Sequence, residues 1–127
     1  MRVLLDTHAI LWAVLAPEKL SPTARQLMEG DNELLISIAS LWEIVIKTTL
    51  GKLHLGVPPE QAFPEILDAL RAEILPIALE HLHAVAQLPP HHGDPFDRML
   101  IAQSVAEGAP LVSSDAVFTR YAVPVIW

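Results

Sequence analysis

Apolar positions along the chain follow two rhythms. Five short segments are almost uniformly apolar: Arg2–Leu5, Leu34–Ile36, Glu73–Leu75, Pro110–Val112 and Val123–Ile126. Runs of that length without polar alternation predict strands covered on both faces. Between them lie longer stretches with apolar residues at helical spacing. The first is Thr7–Leu15, with Ile10, Leu11 and Val14 on one side and Pro17 ending it. The next opens at Ser21-Pro22, an N-cap followed by proline at the first helical position, and runs to Gly30. Ala39–Leu50 closes at Gly51, and a helix from Pro58-Pro59 reaches Arg71. Glu80–Leu88, Asp94-Pro95 through Glu107 with Gly108 as its cap, and a short helix from Asp115 complete the pattern.

Strands alternating with helices predict an α/β fold, a parallel sheet flanked by helices. With 127 residues and no linker, repeat or charge run, residues 1–127 are expected to form a single domain. Hydrophobic residues make up 52% and charged residues 18%, so the chain is greasier than most soluble domains. Part of that surplus is expected to meet a second copy or another chain. Apolar runs such as Ala9–Ala16 fall well short of the roughly 18 residues of a membrane span, and Asp6 breaks the apolar start that an export signal would need. A soluble cytoplasmic protein is therefore expected. Without cysteine there is no disulfide framework, thiolate metal site or cysteine nucleophile.

In a parallel α/β sheet the working residues gather beyond the carboxyl ends of the strands. Asp6 follows one predicted strand directly, and Asp115 follows Leu111-Val112-Ser113-Ser114. Glu43 stands inside the apolar run Leu41–Ile46, where a carboxylate needs a partner. Asp97 lies three residues after Asp94 at a helix start. Each acid also has a purely structural explanation. Asp6, Asp94 and Asp115 suit N-caps, Asp97 suits the first helical turn, and Glu43 can pair with Lys47 one turn on. That last pairing is worth only about 0.2–0.5 kcal/mol. Taken together, acids from distant parts of the chain meeting at one edge would repel by about 4 kcal/mol per close pair at an effective dielectric near 20. Hard divalent cations remove that conflict, which points to a metal-assisted phosphoryl site. The four acids account for four of the seven net negative charges, so an acidity that argues against nucleic acid is largely the acidity of a site.

Four blocks in order then resemble the PIN-domain family, and within it the VapC-like ribonuclease toxins of type II toxin–antitoxin pairs. They are Leu4-Leu5-Asp6-Thr7-His8 with Leu11-Trp12; Ser37–Ser40 with Trp42-Glu43-Ile44, Lys47 and Gly51-Lys52-Leu53; Asp94-Pro95-Phe96-Asp97-Arg98 with Leu100–Gln103; and Leu111-Val112-Ser113 with Asp115, Phe118 and Tyr121. The resemblance implies a compact three-layer α/β fold around a parallel sheet of about five strands. It implies that Asp6, Glu43, Asp97 and Asp115 hold one or two Mg²⁺ or Mn²⁺ ions and catalyse RNA hydrolysis to 5′-phosphate and 3′-hydroxyl ends. Ser113 matches a residue that orders the site, and Thr7 commonly follows the first acid. Asp94 is an outer ligand or only a helix cap. Lys47, Arg98 and Lys52 are candidates for RNA phosphate contacts or solvated surface charges. A small VapB-like antitoxin and a homodimer are the implied partners.

Other signals lead elsewhere or nowhere. His81 and His83, and the loop pair His91-His92, lack the i, i+4 placement of a helical zinc site, so solvation is their expected role. Trp12 and Trp42 are expected to pack in the core or at an interface. A haloacid-dehalogenase phosphotransferase would need an acid where His8 stands, and a receiver domain would need paired acids and a late lysine. The alternatives within the same fold are a non-catalytic PIN-like binding module and a stand-alone RNA-processing nuclease.

Overall fold

The computed structural model describes residues 1–127. Five strands, β1 (Arg2–Leu5), β2 (Glu33–Ser37), β3 (Ala72–Leu75), β4 (Leu111–Val112) and β5 (Val125–Ile126), form one sheet of order β3-β2-β1-β4-β5. Every pairing is parallel. Six α-helices connect them: α1 (Thr7–Leu15), α2 (Pro22–Glu29), α3 (Ile38–Thr49), α4 (Pro59–Leu70), α5 (Leu79–Ala86) and α6 (Pro95–Glu107). Short 3₁₀ turns occupy Pro17–Lys19 and Ala116–Arg120. The predicted α/β architecture is the observed one. No helix is long and apolar enough to cross a membrane.

The three inner strands β2, β1 and β4 are covered on both faces, whereas the edge strand β3 leaves Glu73 and Ile74 exposed and β5 is only partly buried. Val3 and Leu5 of β1, Leu34 and Ile36 of β2 and Val112 of β4 pack with Ala24, Leu27, Leu41, Ala62 and Ile66 from α2, α3 and α4. Leu4, Leu35 and Leu111 point the other way, onto Leu100 and Ile101 of α6 and onto Phe118 and Tyr121. Alternate residues of a strand thus serve opposite cores, as the two-residue period requires.

Two local features position the functional edge. The register sets Leu5 opposite both Ile36 and Val112, so the residues that follow, Asp6, Ser37 and Ser113, emerge side by side at the carboxyl end of the sheet. Helix α3 begins at the residue after β2 and packs against α1 and α4 on one side and α6 on the other. It therefore spans both helical layers, which carries Glu43 to the same edge. The last strand is shorter than the predicted Val123–Ile126. Proline at 124 has no N–H to give to a ladder, and pairing starts only at Val125.

Leu4 is fully buried at the centre of one core, whereas Leu82 on α5 is half exposed. Leu4→Ala is expected to cost about 2–5 kcal/mol in denaturant unfolding, and Leu82→Ala no more than about 0.5 kcal/mol. Equal costs would contradict the two-core packing.

Candidate metal and nucleic-acid site

Asp6 is the residue between β1 and α1, and its side chain is buried. One carboxylate oxygen caps α1 by accepting the Ala9 N–H at 2.7 Å, and the other accepts the Ser113 hydroxyl at 2.5 Å. Ser113 in turn accepts the Asp115 N–H at 3.0 Å, and Asp115 caps the turn that follows by accepting from Val117 N at 3.0 Å. Thr7, also buried, donates to Glu43 Oε1 at 2.6 Å, and Lys47 pairs with Glu43 Oε2 at 3.0 Å. Asp97 accepts from His92 Nε2 at 2.8 Å, while Asp94 caps α6 by accepting the Asp97 N–H at 2.9 Å.

The electrostatics join these contacts into one field. Burial pushes the Asp6 carboxyl above its ordinary range, Asp115 adds to the rise, and the bonds from Ser113 and Ala9 oppose it. Burial also raises Asp97, with Asp94 and Glu43 contributing as like charges and the His92 hydrogen bond opposing. Asp115 thus acts on Asp6, Thr7 ties the Asp6 segment to Glu43, and Glu43 acts on Asp97. All four sequence-predicted acids belong to this connected group. No three of them bring carboxylate oxygens mutually within 4.8 Å; the tightest set at this edge is His92, Asp94 and Asp97.

The structural explanations for the acids hold as well, since Asp6, Asp94 and Asp115 are all N-caps. Capping and metal ligation do not compete, because a carboxylate offers about four lone-pair sites and a cap uses one. Asp115 is exposed, the outermost of the four.

Several supporting residues sit differently from expectation. Arg98 does not reach outward as a free phosphate contact. Its guanidinium donates to the carbonyls of Val85 (3.2 Å), Pro89 (3.0 Å) and His92 (3.3 Å), so it braces the α5–α6 loop. His92 is not simply solvated; it bonds Asp97. For Trp42 only the interface alternative is left, because it lies outside the core, 59% exposed, with its ring edge against Phe96 at 5.2 Å.

His81 also departs from expectation, because it is buried rather than solvated. It belongs to a second cluster, with Glu80 and Glu107, at the opposite edge beside Arg2 and the start of β1. Its Nδ1 accepts the Ala78 N–H at 2.9 Å, which leaves Nε2 as the protonated nitrogen facing Glu107 Oε2 at 3.0 Å. That bond holds Glu107 below the usual carboxylate range. A metal at Nε2 would need the other nitrogen to carry the proton, and there it would collide with a backbone donor. This cluster is a structural clamp between α5 and α6.

The raised Asp6 and Asp97 set the sign of a stability effect. The folded protein holds those protons more tightly than the unfolded chain, so stability falls as pH rises from the ordinary aspartate range near about 4, and the penalty persists at neutral pH. Without divalent cations, Asp6→Asn and Asp97→Asn are expected to raise the thermal midpoint at pH 7 by a few degrees, a gain that disappears near pH 4. Lower midpoints at pH 7 for both variants would contradict the crowded-charge description.

The PIN domain family matches residues 3–124. The ribonuclease VapC22 of Mycobacterium tuberculosis is 28% identical over 113 residues, covering 89% of this chain and 86% of that protein. VapBC2 from Rickettsia felis, solved bound to a DNA fragment from its promoter, superposes with a TM-score of 0.71 at 20% identity, covering 98% of this chain and 97% of the other. VapBC-1 from nontypeable Haemophilus influenzae gives 0.63 at 17% identity, covering 94% and 91%. The match runs through nearly the whole sheet and every acid of the connected group, and the chain belongs to the PIN domain family.

Proposed function

We propose that this protein is a divalent-metal-dependent endoribonuclease and the toxin of a toxin–antitoxin pair. The observation that carries the reading is the run of hydrogen bonds and charge interactions, bridged by the Asp6–Thr7 peptide bond, that joins Asp115, Ser113, Asp6, Thr7, Glu43 and Asp97 at the carboxyl edge of the sheet. An all-oxygen donor set suits Mg²⁺ or Mn²⁺, and the net negative field suits a cation better than it suits an empty cleft. Asp6, Glu43, Asp97 and Asp115 are the proposed ligands, for one or two ions. When bound, such an ion supplies Lewis acidity, lowering the pKa of water and offsetting charge on phosphate oxygens.

The chain's own residues do the rest. Ser113 and the Ala9 N–H fix the Asp6 carboxylate, and Thr7 fixes Glu43, so the ligand oxygens are ordered before any ion or substrate arrives. A carboxylate oxygen not committed to a cation can accept the proton of the attacking water. Water attack at phosphorus displaces the 3′ oxygen, leaving a 5′-phosphate and a 3′-hydroxyl. Lys47, partly exposed and beside Glu43, is the cation best placed to meet an RNA phosphate at the rim.

The relatives' names support the ribonuclease reading, and the neighbours' assemblies support an antitoxin partner. An apolar groove of about 460 Å³ between α3 and α4, lined by Ile38, Trp42, Val45, Phe63, Leu67 and Ile74, supplies the surface for a partner chain that the composition calls for. We propose that a small VapB-like antitoxin and a second copy of this chain between them cover the exposed apolar surface, in a protein acting in the cytoplasm.

Purified protein incubated with single-stranded RNA is expected to cut internally in Mg²⁺ or Mn²⁺ and to stop in EDTA. Asp6→Asn and Asp97→Asn are each expected to lower the rate at least about 100-fold while remaining folded by circular dichroism. Cleavage that persists in EDTA, or in both variants, would refute the metal mechanism. Growth arrest on expression, relieved by the adjacent reading frame, tests the toxin assignment separately.

A further inference from the structure

We infer that His92 is a positioning residue for Asp97: its ring N–H holds one oxygen of that carboxylate and turns the other toward the cation. The inference rests on the metal-dependent reading above and adds to it a residue outside the set of acids. The His92 Nε2 to Asp97 Oδ2 distance is 2.8 Å, and both side chains are partly buried.

A loop histidine can orient a ligand only if the loop itself is held, and here it is held at several points. Arg98, the neighbour of Asp97 on α6, donates to the backbone carbonyls of Val85, Pro89 and His92 itself. The His91 ring packs edge-on against the buried Tyr121 at 5.3 Å, and the Tyr121 hydroxyl lies 3.5 Å from Arg98. Asp94 fixes the Asp97 backbone N–H from the same loop. Asp97 is thus gripped twice, at its main chain by Asp94 and at its carboxylate by His92. Without the second grip, an aspartate in the first turn of a helix is free to rotate between staggered side-chain positions, only some of which face Glu43 and Asp6. The donor role needs only a proton on Nε2, which the neutral ring supplies.

Groups that orient a metal ligand in this way typically contribute about 10–100-fold to metal affinity or activity. Calorimetric Mn²⁺ binding is the first readout and RNA cleavage the second, on the full-length protein. His92→Ala is expected to weaken Mn²⁺ binding about tenfold or more, to lower kcat at limiting Mn²⁺ and to leave KM for RNA unchanged. His92→Gln retains an N–H donor of similar reach and is expected to recover most of the affinity, which also keeps the test interpretable if the alanine variant folds poorly. His83→Ala, exposed on α5 and away from the carboxylates, is expected to bind Mn²⁺ like the parent. Unchanged Mn²⁺ affinity in His92→Ala, or no recovery in His92→Gln, overturns the inference while leaving the metal reading intact. A directly bound ring nitrogen in the electron spin echo spectrum of the Mn²⁺ form also overturns it, because His92 would then be a ligand. A parent protein that binds no Mn²⁺ overturns both.

Discussion

Convergence of partly desolvated carboxylates at the carboxyl edge of a parallel sheet is the constraint around which this molecule is organised. The register that sets Leu5 beside Ile36 and Val112 delivers Asp6 and Ser113 to adjacent positions. Crossing both helical layers, α3 adds Glu43, and the first turn of α6 adds Asp97. Desolvation is the largest cause raising both Asp6 and Asp97, with neighbouring carboxylates adding to it. A fold that desolvates Asp6 and Asp97 beside other carboxylates gives up stability, and the trade is typical of sites kept for chemistry.

The crowding is managed by donors more than by counter-charges. Ser113 and Ala9 serve Asp6, Thr7 serves Glu43, His92 serves Asp97 and the Val117 N–H serves Asp115. Lys47 is the one lysine or arginine paired with any of the four acids. Asp6, Asp94 and Asp115 are N-caps and Asp97 lies in the first turn of α6, positions where orphan N–H groups favour negative charge. Helix capping and site assembly are therefore the same structural event. A strand ends, an acid caps the following helix, and the cap's remaining lone pairs face the edge.

How much of this was legible in the sequence depends on how local each feature is. Strands announced themselves as apolar runs, and the acids that follow them were readable because chain order alone puts residue 6 and residue 115 beyond strand ends. Glu43 was readable as a charge misplaced in an apolar run. Arg98, His81 and His92 were not readable in this way. Each works through partners brought near by loop closure: three carbonyls for Arg98, the Ala78 N–H and Glu107 for His81, and Asp97 for His92. Adjacent histidines in a Gly-Pro-rich loop carry no periodic signal, so nothing in their spacing separates a solvated pair from one residue on Asp97 and another on Tyr121. The apolar surplus was legible as a quantity, while its location, chiefly α3 with α4 and the edge strand β3, required the fold.

We propose that acids from four separate segments act as one cation-binding unit. Addition of substoichiometric Mn²⁺ to isotope-labelled protein, read as paramagnetic loss of amide signals, tests it most directly. Signals of Thr7, Ile44, Arg98 and Ala116, each next to one of the four acids, are expected to disappear together while those around His81 and Glu107 persist. Loss spread evenly over the surface, or centred on the His81 cluster, would contradict the claim.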